Sequence, residues 1–393
     1  MFVAKMKDGS FFSLLDWKKR EDIERMIKGE LFYCPACDST LRLKKGQVRK
    51  IHFAHINDSC KASSESETLY HLEGKAKLYE SLLHYKKTTL EHYIPSTNQR
   101  ADVFVETDNR QYAFEFQCSN LSQSEFNRRT KLYEREGIRP IWIIGKDKLG
   151  SMSQIIKLSP FQWRFLQRAS PLNPPYILSF CPEKSLFFYL YPTFSFNSST
   201  TYLTFMTHKN WIEQPVFQHF HSAPWKEHYL RYKLKWRYEY SLYKPYYKLR
   251  SFCYNKMKIT LSLFPAEIGL PVPSFYQIHS PILEWQAWLY FDSIYQRQQS
   301  SIIHLPTVLK NFKARIKNSQ IKVRDLPLVK GGSYEDAIVE YLDVLVVIGV
   351  LEKVTPVIYR KLKKERPYHS LEEALHQDRS QLEWLLRLKQ FCN

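Results

Sequence analysis

The stretch 101-ADVFVETDNRQYAFEFQCS-119 decides the fold of the central part of this chain. It contains two short apolar runs, residues 101–106 and 112–118, separated by a polar Thr-Asp-Asn-Arg segment with turn-forming residues. Such a pattern predicts two adjacent strands joined by a short turn. Asp102 on the first strand and Glu115 on the second would then meet at one point.

Helical patterns flank this pair of strands. Upstream, apolar residues recur at spacings of three and four between positions 69 and 83, which predicts an amphipathic helix from about Ser64. Residues 91–95 form a further short strand-like run. Downstream, Ser122 begins a polar helix that ends near Gly137, and residues 140–145 (PIWIIG) predict a buried strand. The expected order is helix, three strands, helix, strand.

A divalent cation site is predicted on the two central strands. A pair of carboxylates, completed by water and phosphate oxygens, is the usual protein contribution to a Mg²⁺ site. On the upstream helix, Glu67, His71 and Lys75 are spaced by four and share one face, so that Glu67 could supply a third carboxylate. The alternative is that Asp102 and Glu115 are ordinary exposed residues on alternating strands.

A second metal site is predicted near the N-terminus. Cys34 and Cys37 form a CPAC turn, followed after fourteen residues by His52 and His55 in HFAH. Thiolates and imidazoles in such pairs are typical ligands of Zn²⁺, and a structural zinc suits a segment too small to build its own core. Cys60 could replace His52 as the fourth ligand. The alternative is a reduced cysteine pair beside two ordinary histidines.

The order of these elements resembles the core of the PD-(D/E)xK nucleases. Within that superfamily, the chain resembles the CoiA family of competence proteins. The resemblance rests on the CPAC and HFAH pairs and, in order, on SETLYHLEGK, RADVFVE, YAFEFQCS and RRTKLYEREGIRPIWIIG. It extends to about Gly145, whereas the aromatic-rich remainder is similar in character and length more than in motif.

The resemblance implies roles for matching residues. Asp102 and Glu115 would bind Mg²⁺ or Mn²⁺, with Glu67 as the helix carboxylate near the site. Gln117 stands where many members of the superfamily have lysine, and an uncharged amide neutralises a developing phosphate charge less well than an ammonium group does.

The missing cation leads to a hypothesis about the facing helix. Lys75 or His71 would supply it, although Lys75 could also be a solvated helix residue. The implied function is a metal-dependent deoxyribonuclease of natural competence, which processes internalised or recombining DNA during transformation. The alternative function is a non-catalytic DNA-binding accessory that helps to load a recombinase or protects strands.

The charge distribution predicts where DNA would be held. The formal net charge is +19, yet residues 61–150 carry 14 basic and 13 acidic residues. Residues 222–258 carry ten basic and two acidic residues interleaved with tyrosines, which suits phosphate contacts and base stacking. The candidate phosphate contacts there are Lys233, Lys235, Arg237, Lys244 and Lys248. The alternative is an amphipathic helix with its aromatic residues inward, which would still present a basic face.

Three further candidates lie on the helix after the central strands. Arg128, Arg129 and Tyr133 could face the same cleft and bind phosphate, although Tyr133 could instead pack against Trp142. DNA, whether single-stranded, duplex or branched, is therefore the expected partner, together with a recombinase or other competence machinery.

The expected fold class is a multidomain mixture of α+β and α/β parts. A zinc-ribbon-like, zinc-binding module would cover residues 1–60, a PD-(D/E)xK domain residues 61–150, and a basic, aromatic-rich DNA-binding region residues 151–393. In that last region we predict strands at 176–220, helices at 281–295 and 334–350, and a charged helix pair at 359–391. Residues 333–360 could end a winged-helix module or cap the middle domain.

Composition excludes several classes of protein. The longest apolar run, residues 344–351, is far shorter than the ~20 residues of a membrane-spanning helix, and the first residues lack the apolar core of a signal peptide. Seven cysteines spread along the chain do not form a disulfide framework. The expected location is the cytoplasm.

Overall fold

The computed structural model describes residues 1–17, 19–45, 50–56, 68–170, 173–215, 225–364 and 367–387. The chain forms two units. The first comprises Met1–Met152, Pro160–Tyr191 and Phe205–Pro215, and the second comprises Ser153–Ser159, Pro192–Thr204 and Val216–Asn393. The N-terminal half is rich in sheet and the C-terminal region is mainly helical. Within the described residues, no helix has the length and apolar character needed to cross a membrane.

The first unit begins with a small antiparallel sheet. Its elements are β1 (Val3–Met6), β2 (Phe11–Ser13), α1 (Arg20–Met26), β3 (Phe32–Tyr33), β4 (Thr40–Lys44) and β5 (His52–His55). The strand order is β2-β1-β3-β4-β5. The rings of Phe12, Phe32 and Phe53 pack together with centroids 4.8 to 6.5 Å apart and form its apolar centre.

The central elements follow the predicted order of a helix, strands, a helix and a strand, but five strands instead of three lie between the two helices. They are α2 (Leu69–Leu82), β6 (Lys87–Leu90), β7 (Tyr93–Ile94), β8 (Gln99–Arg100), β9 (Val103–Glu106), β10 (Gln111–Gln117), α3 (Gln123–Arg135) and β11 (Ile138–Gly145). Local signals explain both helices. The Thr68 hydroxyl caps the N-terminus of α2, and the Ser122 hydroxyl caps that of α3. Gly137, with φ +73°, takes the left-handed conformation that ends α3.

The next elements along the chain are divided between the two units. They are β12 (Ile155–Lys157), α4 (Pro160–Trp163), β13 (Leu166–Gln167), β14 (Tyr176–Cys181), β15 (Leu186–Ser195) and β16 (Thr200–His208). In the first unit, β6, β9 and β10 are antiparallel neighbours, β11 lies parallel to β10, and β14 lies parallel to β11. The strands predicted within residues 176–220 are confirmed by β14, β15 and β16.

The prediction for the first central strand was wrong. The strand that joins the sheet is β6, which ends before Glu91, whereas β7 and β8 form a separate two-stranded hairpin. Glu91 has a positive φ of +49°, which turns the chain away from the sheet. The β-branched Thr88 and Thr89 suit a strand at β6. The prediction relied on the apolar run after them and therefore placed the strand too late in the sequence.

The second unit is completed by helices and a small sheet. Its further elements are α5 (Lys226–Tyr238), α6 (Tyr247–Phe252), α7 (Ile282–Tyr290), β17 (Ile302–His304), α8 (Leu305–Lys317), α9 (Tyr334–Val347), β18 (Leu351–Thr355), β19 (Ile358–Lys361) and α10 (Leu371–Arg387). Strand β12 pairs antiparallel with β16, and the small sheet has the order β17-β19-β18. The helices predicted at 281–295 and 334–350 are confirmed by α7 and α9.

The predicted helix pair at the C-terminal end was wrong. Among the described residues, 359–361 belong to β19, and α10 is the single helix after it. Tyr359 is fully buried, and it pairs with a strand on each side. Tertiary pairing in the sheet therefore overrides the helical pattern of these residues.

Candidate functional site

Asp102 lies directly before β9, at the open end of the β9–β10 hairpin. Phe114 pairs with Val103 in the antiparallel register, so that the next step along each strand sets Glu115 opposite Asp102. The Phe116 N–H donates to Asp102 Oδ2 at 2.9 Å. This hydrogen bond holds the carboxylate against β10 just where the strand ladder stops.

Helix α2 brings two more residues of the predicted site to Asp102. His71 Nε2 lies 3.4 Å from Asp102 Oδ2, and Lys75 Nζ lies 3.9 Å from Oδ1. The close approach depends on Gly74, because a Cβ there would lie 1.8 Å from the Phe116 ring. A glycine in the middle of a helix is costly, and here it lets α2 lie directly on the strand that carries Glu115.

Sequence reasoning missed the main partner of Lys75. Its ammonium group is fully buried and pairs with Glu91 Oε1 at 2.5 Å. Glu91 Oε2 accepts hydrogen bonds from the backbone N–H groups of Phe2 and Val3 at 2.7 and 2.9 Å. Glu91 therefore ties the first strand of the chain to the helix that carries His71. An acidic residue directly before an apolar run was the sequence signal that could have found it.

Glu115 is held from helix α3. Arg129 donates to Glu115 Oε1 at 2.5 Å, and the buried Tyr133 hydroxyl donates to the same oxygen. The Arg129 guanidinium also lies over the Trp142 ring, 5.3 Å from its centroid. Alternate residues of a strand face opposite sides, so Glu115 faces α3 while Phe116, beside it, contacts α2. The two helices thus approach β10 from opposite faces.

The two carboxylates differ in protonation. Burial would raise the pKa of Asp102, but His71, Lys75 and the Phe116 N–H outweigh it and hold this pKa at about 2. Burial raises the pKa of Glu115 to about 7, and the negative charge of Asp102 adds to the rise, while Arg129 opposes it. Asp102 is therefore ionised at neutral pH, whereas Glu115 is partly protonated.

The donor set fits a divalent cation. Within the described residues, Asp102 Oδ1 and Glu115 Oε2 accept no hydrogen bond, so each carboxylate has an oxygen available for a ligand. The carboxylates of Glu91, Asp102 and Glu115 face two permanent cations, those of Lys75 and Arg129. When all three carboxylates are ionised, one negative charge is left over, not counting His71. A divalent cation would favour the ionised form of Glu115 against the burial and the Asp102 charge that raise its pKa.

Two other predicted site residues are placed away from this cluster, and a third lies outside the described residues. Gln117 is buried, and its side-chain amide donates to the Ser119 carbonyl and hydroxyl at 3.1 and 3.2 Å. Arg128 lies at the surface and pairs with Glu125 through two 2.7 Å hydrogen bonds. Glu67 lies outside the described residues.

The N-terminal cluster contains three of the predicted metal ligands. Cys34, Cys37 and His55 offer ligand atoms that all lie within 4.8 Å of one another, and together they could hold a metal ion. His52 is not brought into this cluster: it lies three residues before His55 on β5, so the two side chains face opposite sides of the strand. Its Nδ1 lies 2.9 Å from the Lys50 carbonyl. Cys60 lies outside the described residues.

Two of the basic residues predicted to contact DNA are core residues. Lys233 and Arg237 on α5 are each 1% exposed, and both pair with the buried Asp378 of α10 at 2.7 to 2.8 Å. Arg237 also donates to the carbonyls of Ser262 and Phe264. Burial lowers the pKa of Lys233 even beside Asp378. These two residues therefore stabilise the second unit and do not present charge to a phosphate.

The other three basic residues remain available at the surface. Lys235, Lys244 and Lys248 are exposed. The predicted amphipathic arrangement accounts for the difference, because Tyr229, Tyr232 and Trp236 are buried on the inner face of α5 together with Lys233.

Comparisons with known proteins agree with the resemblance in the sequence. Three family models match, described as the N-terminal domain (residues 15–63), the nuclease-like domain (67–223) and the C-terminal domain (221–375) of competence protein CoiA. Competence protein CoiA of Bacillus subtilis (strain 168) is 30% identical over 364 residues, which cover 90% of this chain and 96% of that protein. No solved structure matches the chain significantly.

Proposed function

The chain belongs to the CoiA family of competence proteins, and from this premise we propose that it is a metal-dependent DNA nuclease that processes DNA during natural transformation. The observation that carries the proposal is the pair of carboxylates at the open end of the β9–β10 hairpin, the buried Glu115 and Asp102, whose side chain is 15% exposed; each has an oxygen that accepts no hydrogen bond from the described residues. A domain that only binds a polyanion has no need of such a pair.

Asp102 and Glu115 would hold Mg²⁺ or Mn²⁺. Bound there, the ion would lower the pKa of a water molecule and stabilise the departing oxygen of a phosphodiester. Arg129 and Tyr133 orient the Glu115 carboxylate by occupying one of its oxygens. Their contacts support a positioning role for Tyr133 in place of direct phosphate binding.

His71 is the better candidate for the cation that Gln117 does not provide. The ammonium group of Lys75 is fully buried and committed to Glu91, whereas His71 contacts Asp102 and keeps 13% of its side chain exposed. A phosphate at the site can reach a partly exposed imidazole more easily than a buried ammonium group. Lys75 then has a positioning role: its ammonium group holds α2 and the Asp102 carboxylate in place for the reaction.

A structural zinc is proposed for the N-terminal cluster. Two thiolates and one imidazole suit Zn²⁺ in their chemistry, and a fourth ligand would close a tetrahedral site. Atomic absorption of purified protein should find about one zinc per chain, and Cys37→Ser should lower that content. Full zinc content in the variant would contradict this ligand set.

Cleavage assays test the nuclease proposal. Purified protein is incubated with single-stranded, duplex and branched DNA in Mg²⁺ or Mn²⁺, beside Asp102→Asn and Glu115→Gln. The matched control is Asp108→Asn, which changes an exposed aspartate on the turn of the same hairpin. We expect cleavage by the wild type and the control, and little or none by the two site variants. Equal cleavage by wild type and Asp102→Asn would point to contamination or to a wrong site.

A specific observation favours the alternative function. Both carboxylates already have internal cationic partners, and Gln117 replaces the lysine of many related nucleases. Carboxylates that are largely balanced by protein cations need no metal ion for stability, so the domain could bind DNA without cleaving it, as an accessory that assists a recombinase would. DNA binding without cleavage by any form, in either metal, would establish this alternative and exclude the nuclease.

A further inference from the structure

The second unit contains a pocket that the proposed reaction does not use. It has a volume of about 400 Å³, within the range of ~300–1,000 Å³ typical of small-molecule sites. It lies between residues 241–242, which follow α5, helix α6 and the segment after α6. Its lining includes Tyr247, Tyr254, Arg250, Asn255 and Thr260.

The two tyrosines are unusually exposed for aromatic residues that line a pocket. Tyr247 is 62% exposed and Tyr254 is 67% exposed. Leu242, which also lines the pocket, and the nearby Tyr243 are at least half exposed as well. Single exposed apolar residues are ordinary, but a group of four within a short segment marks a binding surface.

The segment of chain that lines the pocket carries charges of one sign. Between residues 240 and 266 the chain contains five basic residues and no acidic residue. Lys248, Lys256 and Lys258 are exposed, so their charge faces solvent and not an internal partner. A surface of this kind attracts a polyanion.

The polar lining is fixed and suits a planar ligand with hydrogen-bonding edges. Arg250 donates to the Ser241 carbonyl at 2.9 Å, and its guanidinium lies 5.9 Å from the centre of the Tyr247 ring. Asn255 donates to the Ser251 hydroxyl at 3.1 Å. Amide and hydroxyl groups at the pocket wall can donate and accept, whereas the rings supply flat apolar faces.

The backbone at the pocket has an uncommon form. Residues Cys253–Met257 form a π-helical turn that carries Tyr254 and ends at Lys258 in the left-handed conformation, with φ +59°. Such turns are rare and occur often at functional sites. Here the turn places Tyr254 at the surface while Cys253 beside it is buried.

We propose that this pocket binds an unpaired base of single-stranded DNA, stacked on Tyr247 or Tyr254, while the surrounding lysines contact the flanking phosphates. The inference rests on the proposed function only in taking DNA as the ligand. Rings with exposed faces stack on bases of any kind, and basic residues follow the backbone, so the pocket would hold strands without sequence preference. Bases within a duplex are already stacked and would not enter it.

Binding without cleavage tests the pocket directly. Fluorescence anisotropy of a labelled oligothymidylate of about 12 nucleotides is measured with the full chain in EDTA. Tyr247→Ala/Tyr254→Ala should weaken binding about tenfold or more. Tyr247→Phe/Tyr254→Phe keeps both rings and should bind nearly as well as the wild type. The matched control is Tyr238→Ala, which removes an exposed tyrosine that does not line the pocket.

Three results would overturn the inference. Unchanged affinity of the double alanine variant would show that the rings do not stack on bases. An equal loss in Tyr238→Ala would indicate a diffuse aromatic surface without a defined pocket. Tyrosine-dependent binding of phosphatidylglycerol vesicles, with no binding of the oligonucleotide, would assign the pocket to a lipid headgroup.

The same variants separate this inference from the nuclease proposal. Asp108→Asn, the control of the cleavage assay, should bind the oligonucleotide as the wild type does. If no form cleaves DNA but binding depends on the tyrosines, the nuclease proposal fails and the pocket stands. If cleavage depends on Asp102 but the affinity for the oligonucleotide does not change in the tyrosine variants, the base-binding proposal for the pocket is wrong and the nuclease proposal remains.

Discussion

Lys75→Met should destabilise the first unit strongly. The substitution removes one partner of an ion pair in which both side chains are fully buried, with the charged atoms 2.5 Å apart. Glu91 would keep its two backbone N–H donors but lose the Lys75 ammonium group, and its side chain is fully buried. Removing one partner of such a pair costs about 3–5 kcal/mol. Since whole domains are stable by only ~5–15 kcal/mol, that is a large fraction of the total.

A second substitution separates the two causes of this loss. Glu91→Gln in the Lys75→Met background removes the charge that Lys75 had paired and keeps an acceptor for the N-terminal strand. Replacing both members of a buried pair by neutral groups is often nearly neutral. We therefore expect the double variant to regain most of the lost stability, with a coupling energy of about 2 kcal/mol or more between the two positions.

Two measurements check the expectation. Urea unfolding gives the change in free energy, and hydrogen exchange of the N-terminal peptide reports on the amides of Phe2 and Val3, which bind Glu91. Their protection should fall in Lys75→Met. A loss below about 1 kcal/mol in the single variant would refute the buried pair. A double variant as unstable as Lys75→Met would refute the stranded charge as the cause.

Three further predictions concern the metal site, the helix contact and the second unit. Burial raises the pKa of Glu115 to about 7, and only the ionised carboxylate binds a cation. The affinity for Mn²⁺, measured by calorimetry, should therefore fall about tenfold for each pH unit below 7 and level off above pH 7. An affinity that does not change with pH would contradict this. Gly74→Ala should cost about 1–3 kcal/mol in urea unfolding and reduce cleavage, because its Cβ overlaps the Phe116 ring, and Phe116→Leu should restore part of both. Asp378→Asn should lower the free energy of unfolding by about 3–5 kcal/mol, because it leaves the buried Lys233 and Arg237 without their carboxylate. Glu383→Gln, at a more exposed ion pair of the same helix, should lower it by less than about 1 kcal/mol. Equal effects of the two substitutions would refute the buried network.

Local patterns predicted much of the first unit. The hairpin that carries Asp102 and Glu115 follows from two short apolar runs and a polar turn, and the ends of α3 follow from Ser122 and Gly137. These signals act over a few residues, through hydrogen bonds and backbone conformation, so the sequence alone can show them. The strand before the hairpin was misplaced because its apolar run continues past the residue at which the chain turns away.

The fate of each charged side chain could not be read in the same way. Lys233 and Lys235 are neighbours on a helix rich in basic residues, and the sequence treats them alike. The fold buries Lys233 against Asp378, 145 residues along the chain, and leaves Lys235 in solvent. A helix has one inner face, but the sequence does not show which distant acid lies opposite to it.

The sequence by itself determined helices α2 and α3, the β9–β10 hairpin, the family of the chain and the positions of the carboxylates and thiols along it, because these depend on spacing and residue type. The tertiary structure alone decided which charged side chains are paired inside the protein. It pairs Lys75 with Glu91, and it turns His52 away from the cysteines. The physical reason is that a buried charge needs a partner, and the partner can lie anywhere along the chain that folding brings near.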